Sequence, residues 1–119
     1  MGRLGAAMIL AVGAALVAAA VASGHHGWSS YDDSREVALT GRIRSSSYEH
    51  PHVTVQLETE QRIWTVILPP PTRARAMGLT AELLGEGSVV RVAGYVHRSV
   101  PDEMRALRIA IGERVFRLR

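Results

Sequence analysis

His52-Val53-Thr54-Val55-Gln56-Leu57-Glu58 alternates without a break: Val53, Val55 and Leu57 fall on one side of an extended chain, Thr54, Gln56 and Glu58 on the other. Successive side chains of a strand point to opposite faces. This is therefore the pattern of a half-buried antiparallel strand, one face on a core and one toward water. The flanking segments extend it. Glu58-Thr59-Glu60-Gln61 makes a polar turn, and Arg62 to Leu68 returns as a further strand. Pro69-Pro70-Pro71 then ends the pairing, because proline has no amide hydrogen to donate to a ladder. On the N-terminal side a strand begins at Glu36, with Val37, Leu39 and Ile43 on one face. Gly41 sits inside it, where a lone glycine marks a bend or a bulge. Ser45-Ser46-Ser47 loosens that strand before the loop Tyr48-Glu49-His50-Pro51.

Beyond the prolines, Thr72 is placed to cap a short helical turn running through Ala74 and Met77 to Gly78. Thr80 to Leu84 forms a second turn. Ser88 to Tyr95 is a fourth strand, with Val90 and Val92 inward and Arg91 outward. His97 to Glu103 is a loop in which Asp102-Glu103 reads as a solvated turn. Met104 to Ile111 follows as a fifth strand, with Leu107, Ile109 and Ile111 on one face. Gly112-Glu113 closes a hairpin, and Arg114 to Leu118 is a last short strand. Three strands, a short helix and two more strands is the order of an OB-fold, a five-stranded, partly open Greek-key barrel. A glycine-bent first strand suits that fold, since it must curve to pair in both halves of the barrel. The expected class is all-β: a small OB-fold-like barrel of five to six strands with a short helix between strands 3 and 4. A simple antiparallel sandwich or meander is the alternative.

The first residues are of another kind. Arg3 precedes an almost unbroken run of Ala, Val, Leu, Ile, Met and Gly from Leu4 to Ala22. A basic start, an apolar stretch and a small-residue exit are the parts of a secretory leader. Residues 1–22 are read as a signal-peptide helix, 23–35 as an extended N-terminal arm and 36–119 as the barrel. Ala20-Val21-Ala22 fits the small-x-small cleavage rule, and Ala22-Ser23-Gly24 is a later candidate. The alternative is an uncleaved membrane anchor, weakened by the prevalence of Ala and Gly. With no Cys and no twin Arg, neither a lipoprotein nor a Tat signal is indicated. The expected destination is the periplasm by the Sec route, with membrane contact only through an uncleaved leader.

Removing the leader leaves roughly 95 residues, near the size at which one core becomes self-sufficient. The basic residues are all Arg, and the formal net charge is +3. They alternate with acids and apolar residues, as in Arg35-Glu36 and Glu58-Thr59-Glu60-Gln61-Arg62. A basic stripe interleaved with aromatics would point to nucleic acid. No such stripe is visible along the chain, and no nucleic-acid partner is expected.

With these segments laid out, the chain resembles an uncharacterised family of small exported bacterial proteins. Their mature chains open His-His-Ser-Phe or similar, followed by an aromatic-Asp pair, a Thr-Gly strand and an Asn-Pro-His motif. The corresponding features here are His25-His26-Gly27-Trp28, Tyr31-Asp32, Leu39-Thr40-Gly41 and His50-Pro51-His52. Trp64, Gly78-Leu79-Thr80 and Val92-Ala93-Gly94 extend the likeness over nearly all of the mature chain. His50 replaces the usual Asn, and Trp28 stands where Phe is typical. The resemblance implies a periplasmic barrel-like domain of unknown activity and carries no catalytic residue with it.

The histidines are the most suggestive side chains: His25, His26, His50, His52 and His97. In an OB barrel the loops after strands 1 and 4 belong to one binding surface, so His50 or His52 is expected to approach His97. Cleavage after Gly24 would make His25 the first residue, with its amine and imidazole able to chelate one ion. Cleavage after Ala22 would leave Ser23-Gly24-His25, in which amine, backbone amides and the third-position imidazole form a square-planar set. Planar nitrogen donors favour Cu(II). Copper is thus the expected cofactor if there is one, ahead of zinc held by three His and a carboxylate such as Glu49 or Asp32. The bland alternative is that these are solvated loop histidines.

Trp28, Tyr31, Tyr48 and Glu49 are candidates for a ligand surface, although a Trp on such an arm also serves to anchor it. No nucleophile elbow and no phosphate loop is present, and no enzymatic activity is expected. Two functional readings follow. One is a periplasmic copper-binding protein. The other is a metal-independent module that holds a periplasmic protein or a small ligand.

Overall fold

A computed structural model describes residues 27–119. The expected leader and its expected cleavage region, with His25 and His26, lie outside the described residues. The elements are β1 (Val37–Ser47), β2 (Thr54–Glu58), β3 (Ile63–Ile67), α1 (Pro71–Ala76), β4 (Val89–Val96), β5 (Glu103–Ile111) and β6 (Arg114–Arg117). Single 3-10 turns cover Trp28–Ser30 and Glu82–Leu84.

Arg42 of β1 is the pivot of the architecture, for it pairs with Val89 of β4 on one side and Glu58 of β2 on the other. Before it β1 runs along β4; after it β1 runs along β2. The handover needs a close crossing. A Cβ at the neighbouring Gly41 would lie 2.3 Å from the Glu58 carbonyl oxygen, so only glycine fits. A bulge between Ile43 and Ser45 completes the bend. The sheet order is β3-β2-β1-β4-β5-β6, and β3 also pairs with β5 in parallel, closing the barrel. This is an OB-fold-like barrel of five strands with one strand added, and the short helix lies between strands 3 and 4 as expected.

β5 gives one edge to β4 and divides the other between β3 and β6. β3 takes Glu103 to Arg105 and β6 takes Arg108 to Ile111. The core is apolar throughout: Val53, Val55 and Leu57 face Val66, Leu68, Val90, Val92, Met104 and Ile109. Leu79 and Leu84, from the connection after α1, and Phe116 and Leu118, at β6, complete it. Each such Val, Leu or Phe contributes about 1.5–3 kcal/mol on burial. With no cysteine anywhere in the chain, this packing carries the stability.

Two local readings are corrected. The helix begins at Pro71, which occupies its first turn, and Thr72 lies inside it without capping it. Proline is pre-set for the first helical position because its missing N–H has no intrahelical partner there anyway. Along β5 the inward residues are Met104, Ala106 and Ile109, while Leu107 leaves the sequence of inward positions. A register shift places Ala93 opposite Arg108 but Gly94 opposite Ala106, so Leu107 is the extra residue of a bulge. Gly94 permits it, since a Cβ there would lie 2.1 Å from the Arg105 carbonyl oxygen.

Candidate functional site

The arm preceding β1 is laid onto the barrel. Tyr31 is 3% exposed and forms a bridge with His97 beyond the end of β4. The Asp32 amide donates to the Val96 carbonyl (2.8 Å) and the Arg98 amide to the Ser30 carbonyl (2.9 Å). The Tyr31 hydroxyl donates to Glu103 Oε2 at 2.5 Å, and burial, followed by that hydrogen bond, pushes the phenol well above its ordinary range. Glu103 is therefore a buried-side acceptor rather than part of a solvated turn. Asp102 is likewise engaged, accepting from Arg62 at 2.8 Å.

Trp28, one turn earlier, is half-buried under cations. The guanidinium of Arg105 lies 4.2 Å from its ring and that of Arg119 lies 4.4 Å away. Tyr95 meets the same indole edge-on at 6.2 Å. A cation over an indole face is attracted by the ring quadrupole, so the tryptophan holds both guanidinium groups in place. Burial, with Arg119 and Arg73 nearby, pushes the Arg105 pKa down, while Tyr31 opposes the shift.

These cations continue across the outer face of β4, β5 and β6. Strand alternation places Arg91, Ala93 and Tyr95 outward on β4, Arg108 and Ala110 outward on β5, and Val115 and Arg117 outward on β6, with Arg119 following. A shallow depression of about 320 Å³ is floored by Ala38, Ala93 and Ala110 and walled by Arg91, Arg108 and Glu36. A second, of about 280 Å³, lies beside it between Tyr95, Arg108, Arg117 and Arg119. Glu36 pairs with Arg108. Among the described residues Arg117 and Arg119 have no ion-pair partner.

Strand parity marked only Arg91 of this set in advance. Arg108, Arg117 and Arg119 were legible as outward positions once β5 and β6 were assigned, but the bulge at Leu107 and the adjacency of the strands were not.

The described histidines do not assemble. His97 Nδ1 accepts the Ser99 amide (3.0 Å) and the Val100 amide (2.9 Å). A nitrogen that accepts two N–H groups has no lone pair left for a metal, and in the neutral ring the proton then sits on Nε2. His52 is the reverse case. Its Nδ1 lies 2.9 Å from the Leu68 carbonyl, which can only accept, so Nδ1 carries the proton and Nε2 is the acceptor nitrogen. The two residues are tied to different points along one stretch of chain. His97 is tied to Glu103, which pairs with Thr65, whereas His52 is tied to Leu68. The extended stretch from Thr65 to Leu68 is about 10 Å long. His50 is exposed. Among the described residues no three His, Asp or Glu side chains converge as a metal site.

Of the remaining surface candidates, Tyr48 is half-buried, donates to the Leu79 carbonyl at 2.6 Å and lies under Arg75 at 5.4 Å. Glu49 is exposed beside it. Trp28 and Tyr31 stand together, with ring centroids 6.5 Å apart, but Tyr48 and Glu49 belong to the loop between β1 and β2.

The site and fold together define a small OB-fold-like barrel with a tethered arm and an arginine-walled outer face. The chain belongs to the DUF6152 family, a family of unknown function, whose match spans residues 13–103. No functionally curated protein matches it. Among solved structures it is similar to part of TiaS in its complex with an isoleucine transfer RNA and ATP, at 25% identity and a TM-score of 0.51 over 68% of this chain and 19% of that one. It is also similar to part of the ZRD-deleted mutant of TiaS in complex with agmatine, at 23% identity and a TM-score of 0.53 over 71% of this chain and 26% of that one. The chain therefore spans only a minor part of either neighbour.

Proposed function

We propose that this protein is an exported interaction module that holds an acidic periplasmic protein against the outer face of β4, β5 and β6. The observation that carries the reading is the uncompensated pair Arg117 and Arg119. They stand opposite and beside Arg108 on one sheet face, with alanines between them and the rest of the wall. Like charges directly opposite on adjacent strands are destabilising, and an acidic partner would relieve that repulsion. The alanine floor leaves room for side chains from the partner, and Trp28 holds the guanidinium of Arg119 ready.

The nucleic-acid neighbour does not redirect this reading. An OB barrel takes oligonucleotides on the face of its second and third strands, where aromatic rings stack on bases. On the outward side of those strands this chain presents Thr54, Gln56, Glu58, Ile63, Thr65 and Ile67, none of them aromatic.

A photo-crosslinking residue at Val115, which is 61% exposed, tests the proposal in cells that express the exported chain. The expected result is one discrete protein adduct that disappears in the Arg117→Glu/Arg119→Glu variant. No adduct, or an adduct indifferent to both reversals, would overturn it. Copper at the mature N-terminus, with His25 and His52, is a separate proposal supported by the sequence.

A further inference from the structure

A depression larger than either of these lies elsewhere, at the mouth of the barrel where the arm crosses it. It measures about 510 Å³, within the roughly 300–1,000 Å³ of small-molecule sites, which favour barrel mouths. Its base is apolar, formed by Trp64 of β3 with Val37 and Val96. Its rim carries Arg35, Arg62 and Arg98 against the single carboxylate Asp32.

These cations are not equivalent. Arg62 is paired with Asp102 and lies over the Trp64 ring at 5.8 Å. Arg98 donates to the Ser29 carbonyl at 3.1 Å and reaches Asp33 only at 3.8 Å. Arg35 makes no hydrogen bond or ion pair among the described residues. The carboxylate that lines the hollow, Asp32, accepts from the Ser34 hydroxyl at 2.6 Å and the Ser34 amide at 3.0 Å. Those bonds, the hydroxyl's first, hold the Asp32 carboxyl below its ordinary range, so it stays ionised and occupied. A guanidinium with no hydrogen bond or ion pair among the described residues, only a weak electrostatic pull on Asp32, therefore stands at the lip of an indole-based hollow.

We propose that this mouth binds a small organic anion with an apolar or aromatic body, its charged group on Arg35 and its body against Trp64. Guanidinium suits carboxylate and sulfonate because its N–H groups form a fork that two oxygens can accept together. The arm supplies one wall, so binding requires it to lie across the barrel as the Tyr31–His97 bridge and the Asp32–Val96 hydrogen bond hold it. This site is separate from the arginine-walled face and does not depend on the proposal made for it.

The test uses 8-anilinonaphthalene-1-sulfonate on the exported chain carrying Trp28→Phe, which leaves Trp64 as the only tryptophan. Saturable one-to-one binding with energy transfer from Trp64 is expected. Arg35→Gln should weaken it about tenfold, the effect of removing one charge-assisted contact, and Arg35→Lys should restore part of it. Arg117→Glu/Arg119→Glu should leave it unchanged. Naphthalene-1-sulfonate should displace the probe and sulfate should not. Binding that is unaffected by Arg35→Gln, or lost with Arg117 and Arg119, would place the probe elsewhere and overturn the site. Equal displacement by sulfate would overturn the ligand class.

Discussion

Arg108 and Arg117 are direct cross-strand partners in the β5–β6 ladder, two guanidinium groups opposite one another on the same outer face. Glu36 accompanies the first, and no carboxylate among the described residues accompanies the second. Removing this repulsion should strengthen the isolated domain while weakening its contact with an acidic partner. For Arg117→Glu we expect a gain of about 0.2–1 kcal/mol, read as a rise in Tm of a few degrees that shrinks in high salt. The same variant should lose the crosslink at Val115. A lower Tm would show that the arginine pair is structural.

Gly41 is required by the crossing of β1 over Glu58, whereas Gly87 is required only by its backbone angle. A methyl group at Gly41 meets backbone at 2.3 Å, and one at Gly87 meets nothing within 4 Å, although φ there is +92°. Gly41→Ala should therefore cost about 3 kcal/mol or more, as overpacking against backbone does. Gly87→Ala should cost only about 1–2 kcal/mol. Urea unfolding of the two variants separates these outcomes.

The Tyr31 phenol is held protonated by burial and by Glu103. Its folded pKa lies above the unfolded value of about 10, so its contribution is complete below pH 10 and declines as pH rises beyond that. Tyr31→Phe should cost about 1–3 kcal/mol at neutral pH, because it leaves the Glu103 carboxylate short of a donor. The gap between wild type and variant should narrow above pH 10. A gap that is constant in a pH series of unfolding curves would refute the assignment.

His97 and His52 should behave differently toward copper. His97→Ala strips the acceptor from the exposed Ser99 and Val100 amides, so it should lower stability by only about 0.5–1.5 kcal/mol without altering copper uptake. His52→Ala should lower copper affinity if the mature N-terminus recruits a ring nitrogen from the barrel. Native mass spectrometry of the exported chain with a slight excess of Cu(II) reads both effects.

The barrel was legible wherever the pattern was local. The Val53-Val55-Leu57 alternation, the lone Gly41 and the proline run before the helix each carry their meaning within a few residues. The bulge at Leu107 was not legible, because its cause is a missing Cβ on Gly94 in the partner strand. The arginine face was hidden for the same reason: Arg91, Arg108 and Arg117 are dispersed along the chain and meet only through sheet order. His52 and His97 were expected to meet because their loops share a surface in OB barrels in general. The structure ties the His97 backbone to Glu103, opposite the middle of β3, and the His52 ring to Leu68, just past its end, and local backbone groups set which ring nitrogen each presents.

β6 also has a protective role. It covers the edge of β5 from Arg108 to Ile111, beyond the stretch that β3 closes. Without it those residues would form a bare strand edge, a template for adding further chains. β6 replaces that edge with a strand only four residues long, bearing Arg114 and Arg117 at its ends. Charge and brevity both discourage further pairing. The strand that displays the arginines is thus also the barrel's guard against growing into a polymer.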